Sequence, residues 1–139
     1  MTATIAFRPM TPESAEQLGP LLAAIDPWAH YRYTAAALKT FLSAEDDDAP
    51  RQEIIVGGTL AGAFSIRRTW LRGPYLQFLG ILPPFQNSGV GNAVLSWFEA
   101  EGNRLAARNI WVSASEFNTR AVAFYERFGF VRVATLDGL

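Results

Sequence analysis

Residues 81–91, "ILPPFQNSGVG", join an apolar run to a segment whose apolar residues recur at helical spacing. Two prolines precede Gly89 and Gly91, and these glycines open the expected helix. A turn between a strand and a helix exposes backbone N–H groups at the positive end of the helix dipole. The stretch therefore predicts an anion site, most naturally for phosphate, at which glycine lets oxygen atoms approach the backbone.

Two common phosphate-binding motifs fit this turn poorly. A P-loop requires Gly-Lys-Ser/Thr, and the turn contains no lysine. A dinucleotide fingerprint requires Gly or Ala three positions after its second glycine, where this chain has Val94. That fingerprint should also follow the first strand of a βαβ series, whereas this turn follows several predicted strands.

The turn is similar to the acetyl-CoA motif of the GNAT superfamily of N-acetyltransferases. In that motif an apolar strand leads into x-Pro-x-x-Arg/Gln-x-x-Gly-x-Gly/Ala, which residues 81–91 match. A second signature of the superfamily, Asn-x-x-Ala-x-x-x-Tyr-x-x-x-Gly-Phe, matches "NTRAVAFYERFGF" at residues 118–130. The two motifs occur in order, separated by a helix and a strand, and the resemblance spans about residues 4–136.

Hydrophobic periodicity predicts the element order β-α-α-β-β-β-α-β-α-β. The helices have N-cap signals at Thr11, Thr34 and Asn118, and Gly57-Gly58 predicts a hairpin. We expect strands at 4–9, 75–82, 109–115 and 130–136, with a long helix over 90–107. This order predicts an α/β fold with a single mixed, largely antiparallel central sheet flanked by helices, as the resemblance also implies.

Composition narrows the classes of function. The chain has 139 residues, which suits one domain over residues 1–139. A formal net charge of −1 offers no basic surface for nucleic acid, and the absence of cysteine predicts no thiolate metal site and no cysteine nucleophile. We expect no metal, no signal peptide and no membrane span, and hence a cytoplasmic protein.

The end of the chain predicts an incomplete sheet. Family members carry one more strand after the last one expected here, whereas this sequence stops after a predicted turn at Asp137-Gly138. An unpaired apolar edge is a site for pairing with another chain. We therefore expect the last C-terminal strand to be lacking and a homodimer to be possible.

The resemblance implies where acetyl-CoA binds. The backbone of the 86–91 turn would hold the pyrophosphate, and main-chain groups of Ile81 would pair with the pantetheine. Asn118 would contact the cofactor arm, or would only cap its helix. The cofactor-binding residues expected in the turn are Gln86, Asn87, Ser88, Gly89, Val90 and Gly91.

The resemblance also implies direct transfer of the acetyl group to a primary amine in a ternary complex. Tyr125 would be the general acid, because a phenol with a reference pKa of about 10 can protonate a departing thiolate at neutral pH. Glu116 is the candidate base, and a water relay from Ser113 is the alternative. Gln77, the polar residue on the strand before the turn, cannot act as a base.

Several questions stay open at this stage. Trp28, His30, Tyr31 and Tyr33 are expected either to face the amine through cation–π contacts or to belong to the core. The amine could belong to a small molecule, a peptide or a protein. A second reading of the same motifs is a non-catalytic acyl-CoA-binding sensor or assembly subunit.

Overall fold

The structure is a computed structural model that describes residues 3–137. These residues form five strands and four α-helices, in the order β-α-α-β-β-β-α-β-α. The strands are β1 (Ile5–Pro9), β2 (Arg51–Val56), β3 (Thr59–Arg67), β4 (Tyr75–Ile81) and β5 (Trp111–Val112). The helices are α1 (Pro12–Ala23), α2 (Ala35–Ser43), α3 (Val90–Arg104) and α4 (Thr119–Phe128).

The strands form one sheet in the order β1-β2-β3-β4-β5. The first four pair antiparallel, and β5 lies parallel to β4. The sheet is therefore mixed and largely antiparallel, with helices packed against it, and the predicted α/β fold class is confirmed. Gly57 and Gly58 both have positive φ, as the predicted tight hairpin between β2 and β3 requires.

Local signals place the helix starts. Thr11 caps α1 by accepting a hydrogen bond from the Ser14 N–H, and the Ser14 hydroxyl returns a contact to the Thr11 N–H in a capping box. Thr34 caps α2 by accepting from the Ala37 N–H. These caps satisfy backbone donors that the first turn of a helix leaves free, so the predicted starts are confirmed.

Two buried clusters lie on opposite faces of the sheet. One joins α1 and α2 to Ala63 and Phe78, and the other joins α3 to Phe64 and Leu76. Consecutive residues of a strand point to opposite faces, which separates Ala63 from Phe64. Leu76 and Phe78 are two residues apart, yet they enter different clusters because Gln77 is skipped in the pairing with β3. This bulge reverses the side-chain alternation in the middle of β4.

The predicted strand over residues 130–136 is wrong. This segment is not part of the sheet, and Val131, Val133 and Leu136 are 81%, 74% and 65% exposed. Its alternating apolar residues fit a strand, but a strand forms only where a neighbour completes the hydrogen-bond ladder. The strand predicted over 109–115 is likewise shortened to two residues, and Gly138 of the predicted turn lies outside the described residues.

Candidate acyl-donor and amine site

The turn before α3 presents a row of free backbone N–H groups. Gly89 is the N-cap residue, with a φ of 87° that glycine adopts without steric cost. No side chain caps this helix, and its first hydrogen bond runs from the Ala93 N–H to the Gly89 carbonyl at 3.0 Å. The N–H groups of Val90, Gly91 and Asn92 therefore have no acceptor within the helix. These donors, with the helix dipole, supply what an anion site needs.

The two glycines of the turn have different roles. A Cβ at Gly89 would meet no heavy atom within 4 Å, so the space in front of the helix is open. A Cβ at Gly91 would lie 2.8 Å from Cζ of Phe124 on α4. The sequence analysis explained both glycines by the approach of phosphate. At Gly91 the structure gives a different reason, which is the close packing of α3 against α4.

Side chains of the turn fasten it to the end of β4. The Gln86 amide nitrogen donates to the Ile81 carbonyl at 2.9 Å. The Ser88 hydroxyl donates to the Phe85 carbonyl. Gln86, which the sequence analysis expected to bind the cofactor, thus uses its amide nitrogen for a bond within the protein. The Gln86 bond ties the turn to the end of β4, and the Ser88 bond ties it to the short segment between β4 and the turn.

Arg120 brings a positive charge to the turn. Its guanidinium donates to the Asn87 carboxamide oxygen at 3.4 Å, although 33 positions separate the two residues. The sequence analysis did not select Arg120, because no local signal distinguishes it from other exposed arginines. Its position adds an exposed cation beside the free N–H groups, where it would also favour an anion.

The strands β4 and β5 separate soon after they meet. They pair only at Tyr75 with Trp111 and at Leu76 with Val112, whereas β4 continues to Ile81. Over the described residues no strand covers the edge of β4 beyond these pairs. An open strand edge of this kind can bind an extended ligand through backbone hydrogen bonds. Ile81 lies at the far end of this opening, next to the α3 turn.

Tyr125 lies on α4 among aromatic residues. Its ring packs edge-on against Phe130 with centroids 5.9 Å apart, and tilted against Phe124 at 5.4 Å. Burial raises the pKa of the Tyr125 phenol to about 12, and Tyr75 adds a smaller electrostatic effect in the same direction. The phenol is therefore protonated at neutral pH and available as a donor, in the state that a general acid requires.

Asn118 is the N-cap of α4. Its carboxamide oxygen accepts from the Ala121 N–H at 3.2 Å, and its backbone N–H donates to the Ser115 carbonyl at 2.9 Å. The predicted capping role is confirmed. The carboxamide oxygen of Asn118 is thus already used to cap the helix.

Glu116 lies in the connection between β5 and α4. Its side chain is exposed and makes no hydrogen bond or ion pair with residues 3–137. Both of its neighbours are held, because Ser115 and Phe117 contact the connection between α1 and α2. Contacts with the connection between α1 and α2 therefore fix the position of the Glu116 backbone.

The four aromatic residues left open above divide into two groups. Trp28 is half-buried and stacks on Phe78 of β4, with centroids 4.7 Å apart. His30, Tyr31 and Tyr33 are exposed. Trp28 therefore belongs to the packing against the sheet. The other three are surface residues, and His30 and Tyr31 contact the segment that follows β5.

A hydrogen bond between Tyr75 and Ser113 was not foreseen. Their hydroxyl oxygens lie 2.7 Å apart, and they join Tyr75, which pairs with Trp111, to the residue that follows β5. Sequence reasoning singled out Ser113 alone, and the spacing of 38 positions gave no sign of its partner. The pair adds two hydroxyl groups near Tyr125.

Two features are absent from residues 3–137. They contain no group of three or more His, Cys, Asp or Glu side chains arranged to hold a metal ion. Within the same range, every helix is too short or too polar to cross a bilayer.

In sequence, the chain is similar to known acetyltransferases. Residues 11–130 match the model of the acetyltransferase (GNAT) family. Over 92 residues the chain is 28% identical to the [ribosomal protein bS18]-alanine N-acetyltransferase of Escherichia coli (strain K12), an alignment that covers 66% of this chain and 62% of that protein. The match thus spans less than two thirds of the length of this curated relative.

Solved structures share the fold. A transcriptional regulator from Bacillus halodurans C-125 superposes with a TM-score of 0.77 at 17% identity, covering 98% of this chain and 97% of the other. The aminoglycoside N-acetyltransferase AAC(6')-Iy, in complex with CoA, superposes with a TM-score of 0.72 at 17% identity, covering 98% and 93%. At these identities the similarity concerns the fold.

Proposed function

Because this chain belongs to the acetyltransferase (GNAT) family, we propose that it is an acetyl-CoA-dependent N-acetyltransferase acting on a primary amine. The observation that carries the proposal is a single juxtaposition. The uncapped N-terminus of α3 adjoins the opening between β4 and β5, and the protonated phenol of Tyr125 comes from α4 beside them. The helix N-terminus would bind phosphate, the opening would bind an extended arm, and the phenol would serve the leaving sulfur.

Acetyl-CoA supplies an activated acetyl group on a thioester sulfur. The residues present fit its chemistry, since free N–H groups at a helix N-terminus suit a pyrophosphate and an open strand edge suits the amides of pantetheine. In this proposal the backbone of the turn from Asn87 to Gly91 and the guanidinium of Arg120 hold the phosphates. Main-chain groups near Ile81 orient the arm, Gln86 supports the turn, and Asn118 borders the site at the start of α4.

Tyr125 acts as the general acid in the proposed reaction. It would donate its phenolic proton toward the sulfur as the carbon–sulfur bond breaks. The phenol is protonated at neutral pH, so it can donate a hydrogen bond or its proton to the sulfur as negative charge develops there. The nitrogen–carbon bond forms in the same complex, without a covalent enzyme intermediate, since the chain has no cysteine for a thioester.

The proton of the incoming amine needs a base. An alkylammonium has a pKa of about 10.4, so its proton must be removed before attack at neutral pH. We assign this role to Glu116, whose side chain is exposed and free of ion pairs among the described residues. A water relay from Ser113 is the second candidate, and the hydrogen bond to Tyr75 favours it by giving that serine a fixed orientation.

The proposal extends to the remaining properties of the chain. Residues 1–139 would form one N-acetyltransferase domain that works in the cytoplasm, on a small-molecule or peptide amine and with no nucleic-acid or membrane partner. A homodimer would cover the exposed apolar side chains of Val131, Val133 and Leu136. The names of the related proteins, one acting on an alanine of a ribosomal protein and one on aminoglycosides, support amines as the acceptor class.

A non-catalytic acyl-CoA-binding sensor or assembly subunit is the rival function. It would use the same α3 turn and strand edge, and the exposure of Glu116, the candidate base, is the observation in its favour. Binding alone does not require a phenolic hydroxyl beside the opening, which Tyr125 supplies. We therefore rank the enzyme first.

The test is release of CoA from acetyl-CoA over a panel of small amines, aminoglycosides and N-terminal peptides, with acetyl-CoA affinity measured by calorimetry. Turnover on one acceptor class, strongly reduced in Tyr125→Phe, supports the enzyme. Tight binding of acetyl-CoA without turnover on any acceptor would instead favour the sensor. Absence of binding would reject both.

A further inference from the structure

A surface groove lies at the end of the sheet where the chain passes from β3 to β4, and we call it the β3–β4 groove. Three segments line it: residues 47–48 before β2, residues of the 68–74 connection, and residues 105–108 after α3. Its volume is about 860 Å³, within the range of about 300–1,000 Å³ that small-molecule sites occupy. The groove is therefore large enough for an organic ligand.

The β3–β4 groove is separate from the proposed acetyl-CoA site. It adjoins the end of α3, whereas the free N–H groups of the glycine turn lie at the start of that helix. The 15 residues of α3, at about 1.5 Å each, place these two ends about 20 Å apart. Residues 81 and 86–91, Asn118 and Arg120 all lie outside the groove lining. A ligand in the groove would thus occupy a second site.

Three arginines from different parts of the chain converge on the groove, namely Arg68, Arg72 and Arg108. Arg68 lies 4.0 Å from the Glu101 carboxylate and donates to the Asp47 carbonyl. The guanidinium groups of Arg72 and Arg108 make no ion pair and no hydrogen bond with residues 3–137. Two exposed cations that repel each other are therefore free to bind an anion.

The backbone segments that carry Arg72 and Arg108 are joined directly. The Arg72 carbonyl accepts from the Arg108 N–H at 3.1 Å and from the Asn109 N–H at 3.3 Å. A Cβ at Gly73 would lie 1.6 Å from the Asn109 carbonyl oxygen, so the two segments touch at this point. The two arginines therefore start from a fixed backbone spacing, which lowers the entropic cost of holding one anion between them.

Two carboxylates also line the groove, and only one of them is paired. Asp48 accepts from the Thr69 hydroxyl at 2.8 Å and forms an ion pair with Arg67 at 3.4 Å. The Asp47 carboxylate is exposed and makes no ion pair or hydrogen bond within the described residues. The unpaired arginines thus outnumber the unpaired carboxylate, and Asp47 can accept a hydrogen bond from a ligand hydroxyl.

Trp70 gives the groove an aromatic wall. The residue is 47% exposed, and its ring packs against Tyr75 with centroids 5.3 Å apart and planes inclined by 31°. Its backbone N–H donates to the Gly73 carbonyl at 3.1 Å, which closes the turn between the strands. Leu105, also exposed, adds apolar surface from the segment after α3. An exposed indole held in this way can stack on a flat ring of a ligand.

We propose that the β3–β4 groove binds a ligand that joins a flat ring to a phosphate group, as a nucleoside monophosphate does. A phosphate monoester carries a charge of about −1.5 to −2 at neutral pH, which matches two unpaired guanidinium groups. Trp70 stacks on the ring, and Asp47 accepts from a hydroxyl of the sugar. The inference does not depend on the proposed acetyltransferase function, because it concerns a different site.

The test is a titration with adenosine 5'-monophosphate (AMP), followed through the indole N–H resonance of Trp70 by NMR. The spectrum of Trp70→Phe assigns this resonance among the four tryptophans of the chain. AMP should shift the resonance saturably. Inorganic phosphate and adenosine should each bind about tenfold more weakly than AMP, because each lacks one of the two recognised parts.

Arginine variants test the contact with the anion. Arg72→Gln and Arg108→Gln should each raise the Kd for AMP about fivefold or more, since each loses a charge-assisted hydrogen bond. Arg132→Gln makes the same change of net charge in the exposed segment after α4, outside the groove, and should leave the Kd unchanged. Arg120→Gln, beside the α3 turn, should also leave it unchanged.

Four results would overturn the inference. The first is no shift of the Trp70 resonance at millimolar AMP, and the second is an equal Kd in the wild-type protein and both groove variants. A Kd for inorganic phosphate as low as that for AMP would exclude the ring from the site and contradict the proposed ligand class. Loss of AMP binding in Arg120→Gln rather than in Arg72→Gln would assign the nucleotide to the α3 turn instead. None of these results bears on turnover, so the proposed function keeps its own test.

Discussion

Tyr75 and Ser113 share a 2.7 Å hydrogen bond between the first residue of β4 and the residue that follows β5. Tyr75 is itself paired with Trp111, so its side chain reaches along the short β4–β5 ladder to Ser113. Tyr75 also adds to the raised pKa of Tyr125, which places two phenols near one opening. The proton chemistry proposed for this chain is concentrated at this point.

The base can be identified by comparing Glu116→Gln with Ser113→Ala. If Glu116 removes the amine proton, its loss should lower kcat/KM about 100-fold at neutral pH, whereas Ser113→Ala should change it less than about threefold. Glu126→Gln is the control, since Glu126 is an exposed glutamate on α4 whose side chain has no partner among residues 3–137. The reverse pattern, with Ser113→Ala the more damaging, would transfer the role to the Ser113 relay.

Tyr125→Phe tests the general acid. The ring and its contacts with Phe124 and Phe130 are kept, and only the proton donor is lost. We expect kcat to fall about 100-fold with the Kd for acetyl-CoA within twofold of wild type. Tyr33→Phe, which removes an exposed hydroxyl, should leave kcat unchanged. Full turnover by the Tyr125 variant would remove this residue from the chemistry.

The raised pKa of Tyr125 predicts the alkaline side of the pH profile. A group that must be protonated loses activity only as the pH rises through its folded-state pKa, which is about 12 for Tyr125, above the reference value of about 10. The kcat of the wild-type protein should therefore stay level up to about pH 10. The profile of kcat between pH 6 and 10.5 checks this, and a decline centred well below pH 10 that disappears in Tyr125→Phe would contradict it.

Substitutions at the two glycines of the α3 turn should act by different physical causes. Gly91→Ala should lower the free energy of unfolding by about 1–3 kcal/mol through overpacking against Phe124, and Phe124→Leu should restore part of it. Gly89→Ala should cost about 1–2 kcal/mol because of its positive φ, and Phe124→Leu should not relieve this. Urea unfolding of the four variants measures both, and equal relief at the two positions would refute the distinction.

Local signals in the sequence were reliable wherever the cause is local. The caps at Thr11, Thr34 and Asn118 occur as predicted, because each side chain satisfies an N–H group only three positions away. The hairpin at Gly57-Gly58 follows from the positive φ that this turn demands. The two motifs at 81–91 and 118–130 were likewise sufficient to identify the family and its fold.

The prediction failed where an element needs a distant partner. Residues 130–136 alternate as a strand does, but alternation does not supply a neighbouring ladder, and Val131 remains 81% exposed. Gly91 matched the motif, but the reason for its missing side chain lies in Phe124, which the chain brings to it only after α4 has packed.

By itself, the sequence determined the helix starts, the glycine turn that frees the N–H groups of α3, and the choice of Tyr125 as the proposed proton donor. These depend on backbone conformation and side-chain chemistry over a few neighbouring residues. Only the tertiary structure decided that Tyr31 meets Ser115 across 84 positions and that the environment of Tyr125 raises its pKa. Contacts between distant residues and the loss of hydration arise from packing, and packing exists only once the sheet and its helices have assembled.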